Sequence, residues 1–159
     1  MGHQATQHLC LTIHNNLHKG DITFKHLISI RYVPEIKSRR VPSLSDDRPS
    51  GQPYEKDKNL RLLSTEDVEK IIIRPGESKL ISFCGSGALG LGIEGMLDIH
   101  AGNEARITSL YWNGPWGRVG NQFHVSSTDH EHYSVSTSIP PHEGVLGDIS
   151  VEVGGVAES

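Results

Sequence analysis

From residue 96 to residue 153 the chain repeats one kind of unit: a short apolar run, then a knot of turn-forming residues. The runs are 96–100, 105–112, 121–127, 132–138 and 145–153. Between them stand Ala-Gly-Asn, Asn-Gly-Pro-Trp-Gly, Ser-Thr-Asp-His and Pro-Pro-His-Glu-Gly. Short strands at close, regular intervals with turn signals between them indicate a β-sandwich or barrel. The last run alternates cleanly, with Ile149, Val151 and Val153 set against Asp148, Ser150 and Glu152. Successive side chains on a strand point to opposite faces, so this strand has one wet face and one dry face. The 17 glycines and 8 prolines suit a two-layer β fold rich in turns.

The first third of the chain fits the same class. Residues 8–14 place Leu9, Leu11 and Ile13 in alternation with Cys10 and Thr12, which predicts a strand. Asn15-Asn16 and Lys19-Gly20-Asp21 read as a turn, and 22–33 return with Ile22, Phe24, Ile28, Ile30 and Tyr32. These two strands are expected to pair antiparallel. Residues 34–60 then lose all periodicity and carry Pro34, Pro42, Pro49 and Pro53. That stretch reads as a long surface insertion in one domain spanning 1–159. Ser64 followed three places later by Asp67 is a partial capping box, predicting a helical turn over 65–68. The β-branched run Ile71-Ile72-Ile73 ends it and predicts a strand over 69–74. Arg74-Pro75-Gly76-Glu77 is a turn, and 78–84 a strand. The glycines between 85 and 95 lack the lysine and spacing of a phosphate-binding loop, so they read as a loop running into a strand.

Several function classes are disfavoured. Formal net charge is −4, which offers no basic field for nucleic acid. Cys10 and Cys84 lie in strand-like contexts, are no CxxC pair, and are expected as buried thiols. The N-terminus has neither the basic nor the apolar region of a Sec signal, and no apolar run is long enough for a spanning helix. The expectation is a soluble protein, released without a Sec signal. Ten histidines invite a metal or enzyme reading. The tightest group is His130-Glu131-His132, whose two histidines would share a face on a strand. No HExxH, nucleophile elbow or matched carboxylate pair accompanies them. The expectation is no catalytic residue, no resident metal and no cofactor, with a polar hairpin turn at 129–132.

Residues 110–117, Leu-Tyr-Trp-Asn-Gly-Pro-Trp-Gly, hold both tryptophans of the chain. Two readings stand side by side. Tyr111, Trp112 and Trp116 could pin a hairpin at the edge of the core, or form a surface for lipid or sugar. A lectin-like carbohydrate-binding sandwich fits these residues as well.

The order of Phe83-Cys84-Gly85, a glycine-rich loop, Gly95-Met96-Leu97-Asp98, the Tyr-Trp-x-x-Pro-Trp-Gly core and Gly144–Val153 resembles the aegerolysin family. The similarity covers roughly residues 8–33 and 61–153. The resemblance implies a single antiparallel β-sandwich of the actinoporin type without catalytic activity. It implies binding to sphingolipid- or sterol-containing membranes, and work at a target-cell surface. It further implies the recognition half of a two-component cytolysin, in some cases insecticidal, whose perforin-like partner makes the pore, and it raises assembly into homo-oligomers on the membrane. By this resemblance Trp112 and Trp116 face the lipid and Tyr111 holds the turn. Tyr32, Arg31, Arg118 and Glu94 are the remaining candidates for headgroup contact. Here Asn113-Gly114 stands where fungal members usually have Asp-Cys, and Arg31-Tyr32 where they carry a tryptophan. Their acidic loop residue falls near Leu91, with Glu94 three positions on.

Overall fold

The computed structural model describes residues 7–32, 63–84, 92–115 and 120–156; for residues 29–32 and 84 the description is of the backbone only. Among the described residues eight strands and one short helix follow in order: β1 (His8–Asn15), β2 (Ile22–Tyr32), α1 (Thr65–Glu69), β3 (Ser78–Cys84), β4 (Gly92–Ala101), β5 (Arg106–Gly114), β6 (Gln122–Ser126), β7 (Tyr133–Thr137) and β8 (Gly147–Gly155). They form two four-stranded sheets, ordered β3-β1-β8-β7 and β2-β4-β5-β6. All ladders are antiparallel except β1 with β8, which is parallel. The expected β-sandwich is therefore present, with one parallel seam.

The core follows from alternation. The first sheet turns Leu9, Leu11, Ile13, Ile81, Phe83, Ile149, Val151 and Val153 inward, all essentially without solvent contact. The second answers with Phe24, Ile93, Leu97, Ile99, Leu110 and Trp112. The two layers meet where the Phe83 and Trp112 rings pack at 4.9 Å between centroids, tilted by 45°. Tilted aromatic contacts of this kind add to the area they bury. Cys10 is also buried and accepts a hydrogen bond from the Ser82 hydroxyl at 3.6 Å.

Strands β1 and β2 do not pair with each other. β1 is flanked by β3 and β8, whereas β2 is the edge of the other sheet beside β4. The segment between them crosses from one layer to the other. Asn15, fully buried, organises that crossing: its amide donates to the carbonyls of Gly20 at 3.0 Å and Ile73 at 2.8 Å, and its Oδ1 accepts from Leu17 N–H at 3.0 Å. Alternation in the sequence marks which face of each strand is dry but does not name the neighbouring strand.

The capping box at Ser64 forms in both directions. The Ser64 hydroxyl accepts from Asp67 N–H at 3.0 Å, and the Asp67 carboxylate accepts from Ser64 N–H at 2.9 Å. Leu63 and Val68, at the positions of a hydrophobic staple, are both buried and seat the helix on the core. No strand forms over 69–74. Only Ile73 reaches a partner, in an isolated bridge with Ile22. Residues 129–132 do form a polar turn, but it links β6 and β7 in different sheets and so is not a hairpin.

Candidate functional site

The expected aromatic turn is the end of a strand. β5 runs through Gly114, with Asn113 opposite Glu94 and Gly114 opposite Ile93. Alternation then separates the neighbours in Tyr111-Trp112. Trp112 points inward and has no solvent exposure. The expectation that Trp112 faces a membrane is thereby corrected: its parity is that of Leu110, and Leu110 is in the core. Its seat is made by Gly95, the cross-strand partner, which leaves room for the indole. Tyr111 points outward and lies within the strand, so it does not hold a turn.

On the outer face of the second sheet one cross-strand row collects Ile28, Met96, Tyr111 and His124, each register-paired with the next. Ile28 is 55% exposed and Met96 43% exposed. The Tyr111 and His124 rings stack at 6.1 Å with planes 13° apart. Tyr111 donates its hydroxyl hydrogen to the Glu94 carboxylate, a diagonal cross-strand neighbour. Two of the proposed residues, Tyr111 and Glu94, are thus brought together beside an apolar strip. Arg31 and Tyr32 continue β2 opposite Ile93 and Gly92 in backbone register. Trp116 and Arg118 lie outside the described residues, as does the 34–60 insertion. Their flanks are informative all the same. Pro115 is buried, and Gly120 packs so closely on His142 that an added Cβ would stand 2.9 Å from its Cε1. Asn121 ties the following residues to the loop before β8, donating to Pro141 O at 2.9 Å and Gly144 O at 3.2 Å. The Gln7 amide holds the same loop from the other side, donating to Gly144 O at 3.0 Å and accepting from Leu146 N–H at 2.8 Å.

Below the apolar row the same face turns polar. Asp98 accepts from the Ser109 hydroxyl at 2.6 Å, lies 2.9 Å from His26 Nδ1, and has the Arg106 guanidinium at 4.0 Å. Burial opposes ionisation of Asp98 more than any other single influence. The Ser109 and His26 hydrogen bonds with the nearby positive charge together outweigh it and hold the carboxyl below its ordinary range. In the 129–132 turn Asp129 lies 2.9 Å from His132 Nδ1 and draws the imidazole pKa up, through this hydrogen bond first. Residues 129–132 are a turn and not a strand, so His130 and His132 do not share a strand face.

The sequence reading missed Ile28, Met96 and His124 as one surface. Their parity was legible once Tyr111 was set opposite Trp112. It was hidden on β2 by a bulge between Lys25 and Ile28, which shifts the register by one residue.

The sandwich, with these strands in this order, matches solved structures over nearly its whole length. IP-1A from Alcaligenes faecalis has a TM-score of 0.72 at 18% identity, covering 98% of this chain and 95% of that one. RahU, solved in complex with a Tris molecule, has a TM-score of 0.74 at 17% identity, covering 96% and 98%. These likenesses concern the fold. The family model described as Aegerolysin matches residues 26–156.

The chain belongs to the aegerolysin family.

Among relatives of this aegerolysin, Asp-hemolysin of Aspergillus fumigatus is 31% identical over 92 residues, which are 58% of this chain and 66% of that protein. Ostreolysin A6 of Pleurotus ostreatus is 27% identical over 92 residues, 57% of this chain and 67% of that protein. The matched region therefore spans about two thirds of each relative's length.

Proposed function

We propose that this aegerolysin is a non-enzymatic lipid-recognition protein that docks on sphingolipid- and sterol-containing membranes. The observation that carries the reading is the row of exposed Ile28 and Met96 with half-buried Tyr111, set beside the Tyr111–Glu94 pair on one sheet face. Aliphatic and thioether side chains supply apolar area to a bilayer, and tyrosine seats at headgroup level. Glu94 and Tyr111 offer a polar partner for an amine or hydroxyl in the headgroup. Family membership and a relative named as a haemolysin support the same direction. With a formal charge of −4, attachment rests on these specific contacts and not on bulk attraction to anionic lipid. Trp116, Arg118, Arg31 and Tyr32 belong to the proposed contact set, and Trp112 to the scaffold beneath it.

The protein acts in this reading after release, at the target-cell surface, where copies gather on the membrane. It recruits a perforin-like partner that makes the pore, which is the two-component arrangement of the resembling family. Flotation with liposomes of sphingomyelin and sterol, ceramide phosphoethanolamine and sterol, and phosphatidylcholine alone tests the first step. Retention on the sphingolipid vesicles only is expected. Retention on none of them overturns the proposal, and glycan-array binding in its place favours the carbohydrate-binding alternative. Dye release that starts only on adding a perforin-like protein tests the second step.

A further inference from the structure

His26, Asp98 and His100 form a second constellation on the same sheet face, and nothing in the lipid reading uses it. One ligand atom from each lies within 4.8 Å of the other two. We propose that these three residues bind a divalent transition-metal ion of the zinc class, with a fourth position left open to water or an anion.

Four observations carry this. First, the His100 Nδ1 lies 3.0 Å from the Glu104 carbonyl oxygen. A carbonyl only accepts, so Nδ1 carries the hydrogen and the neutral ring presents its lone pair at Nε2. That nitrogen is buried and has no hydrogen-bond partner among the described residues. A ligating histidine is commonly oriented in this way, by donating its other ring N–H to a backbone carbonyl. Second, Asp98 is held from behind: Ser109 donates to Oδ1 at 2.6 Å, leaving Oδ2 turned to His26 Nδ1 at 2.9 Å. Third, His26 reaches this position through the β2 bulge, with a left-handed backbone (φ 56°) that is uncommon for a non-glycine residue. Bulges re-aim side chains in this manner. Fourth, the His26 and His100 rings meet edge to face at 6.1 Å, with His26 71% exposed and Asp98 only 14% exposed in their side chains. One mobile ligand then closes onto two that are already set.

The donor set selects the metal. Two imidazoles and one carboxylate suit zinc and its neighbours, while calcium and magnesium favour oxygen ligands. Bonds of about 2.0–2.2 Å in tetrahedral geometry put ligand atoms roughly 3.3 Å apart. The ion takes the place of the hydrogen between His26 Nδ1 and Asp98 Oδ2, the neutral ring then keeping its hydrogen on Nε2; the contact opens by a few tenths of an ångström, and exposed His26 has the freedom to do so. Arg106, 4.0 Å from the same Asp98 oxygen, and Lys25, opposite Asp98 in the ladder, are the positive charges the ion has to displace or outweigh. Arg106 is half exposed and can swing outward.

Calorimetric titration of Zn2+ into the full chain at pH 7.5 tests the site. One ion per chain is expected, with affinity at least tenfold weaker in His26→Gln, His100→Gln and Asp98→Asn. Zn2+ should raise the melting temperature of the wild-type protein and not that of His100→Gln. His26 is exposed, so His26→Gln keeps the test valid if a variant at Asp98 or His100 fails to fold. The ligand atoms of Asp129, Glu131 and His132 also lie within 4.8 Å of one another, and His132→Gln serves as the control for that group. Absence of stoichiometric binding overturns the proposal. So does binding that His26→Gln and His100→Gln leave intact, or that His132→Gln removes.

Discussion

Trp112 lies directly over Gly95: a Cβ placed on Gly95 would stand 2.3 Å from Cζ2 of the indole. The two residues are cross-strand partners on the inner face of the second sheet. The indole is fully buried, and its Nε1–H finds no acceptor among the described residues. The ring is held there by packing, against Gly95 on one side and Phe83 of the opposite layer on the other.

The Gly95→Ala variant is therefore expected to lose about 1–3 kcal/mol of stability, the range typical of overpacking a filled core. Trp112→Ala should lose about 3–5 kcal/mol by leaving a cavity. Urea denaturation measures both. The two tryptophans are not interchangeable in a binding assay: loss of binding in Trp112→Ala is expected to track unfolding, and the stability measurement separates the two effects.

The exposed row allows the opposite outcome. Ile28→Glu and Met96→Glu place charge on a wet surface, so stability should change by no more than about 0.5 kcal/mol. Retention on sphingolipid liposomes should fall at least several-fold. Unchanged retention in both variants would remove this face from the membrane contact.

Asn15→Ala removes three hydrogen bonds at the crossing between sheets, while the Ile73 carbonyl keeps the Ile22 N–H at 2.9 Å. Such bonds contribute about 0.5–1.5 kcal/mol each, so the three together contribute about 1–3 kcal/mol. A loss in that range is expected, together with faster amide exchange of residues 16–21. Exchange confined to the wild-type pattern would argue against the crossing role.

Acid sensitivity should be traceable to Asp98. Its carboxyl titrates below the ordinary value in the folded protein. Its contribution to stability is complete above the unfolded value of about 3.9 and declines as pH falls through the lower folded value. Asp98→Asn should remove this component and flatten the stability profile in that acidic window. The measurement is denaturation midpoint against pH for the two proteins side by side.

Strand identities were legible in the chain to within a few residues, because each element carries its own alternation and its own turn residues. The capping box at Ser64 and Asp67 was equally local and appears as read. The paired fate of β1 and β2 was not legible. Leu9, Leu11 and Ile13 demand a dry face, but they are satisfied by any neighbour that presents one. The Ile71–Ile73 run shows the same limit: its β-branched residues favour extended chain, and only Ile73 found a partner strand.

The amino-acid sequence alone settled the class of fold, the dry faces of β1 and β8 and the family to which the chain is similar. Those depend on periodicity and on short ordered motifs, which are properties of the chain itself. Only the tertiary structure decided that Tyr111 looks out and Trp112 looks in, and that Glu94 meets Tyr111. Only it decided that a one-residue bulge carries His26 to Asp98 and His100. A side chain's role on a sheet is set by parity and register together, and register comes from the partner strand.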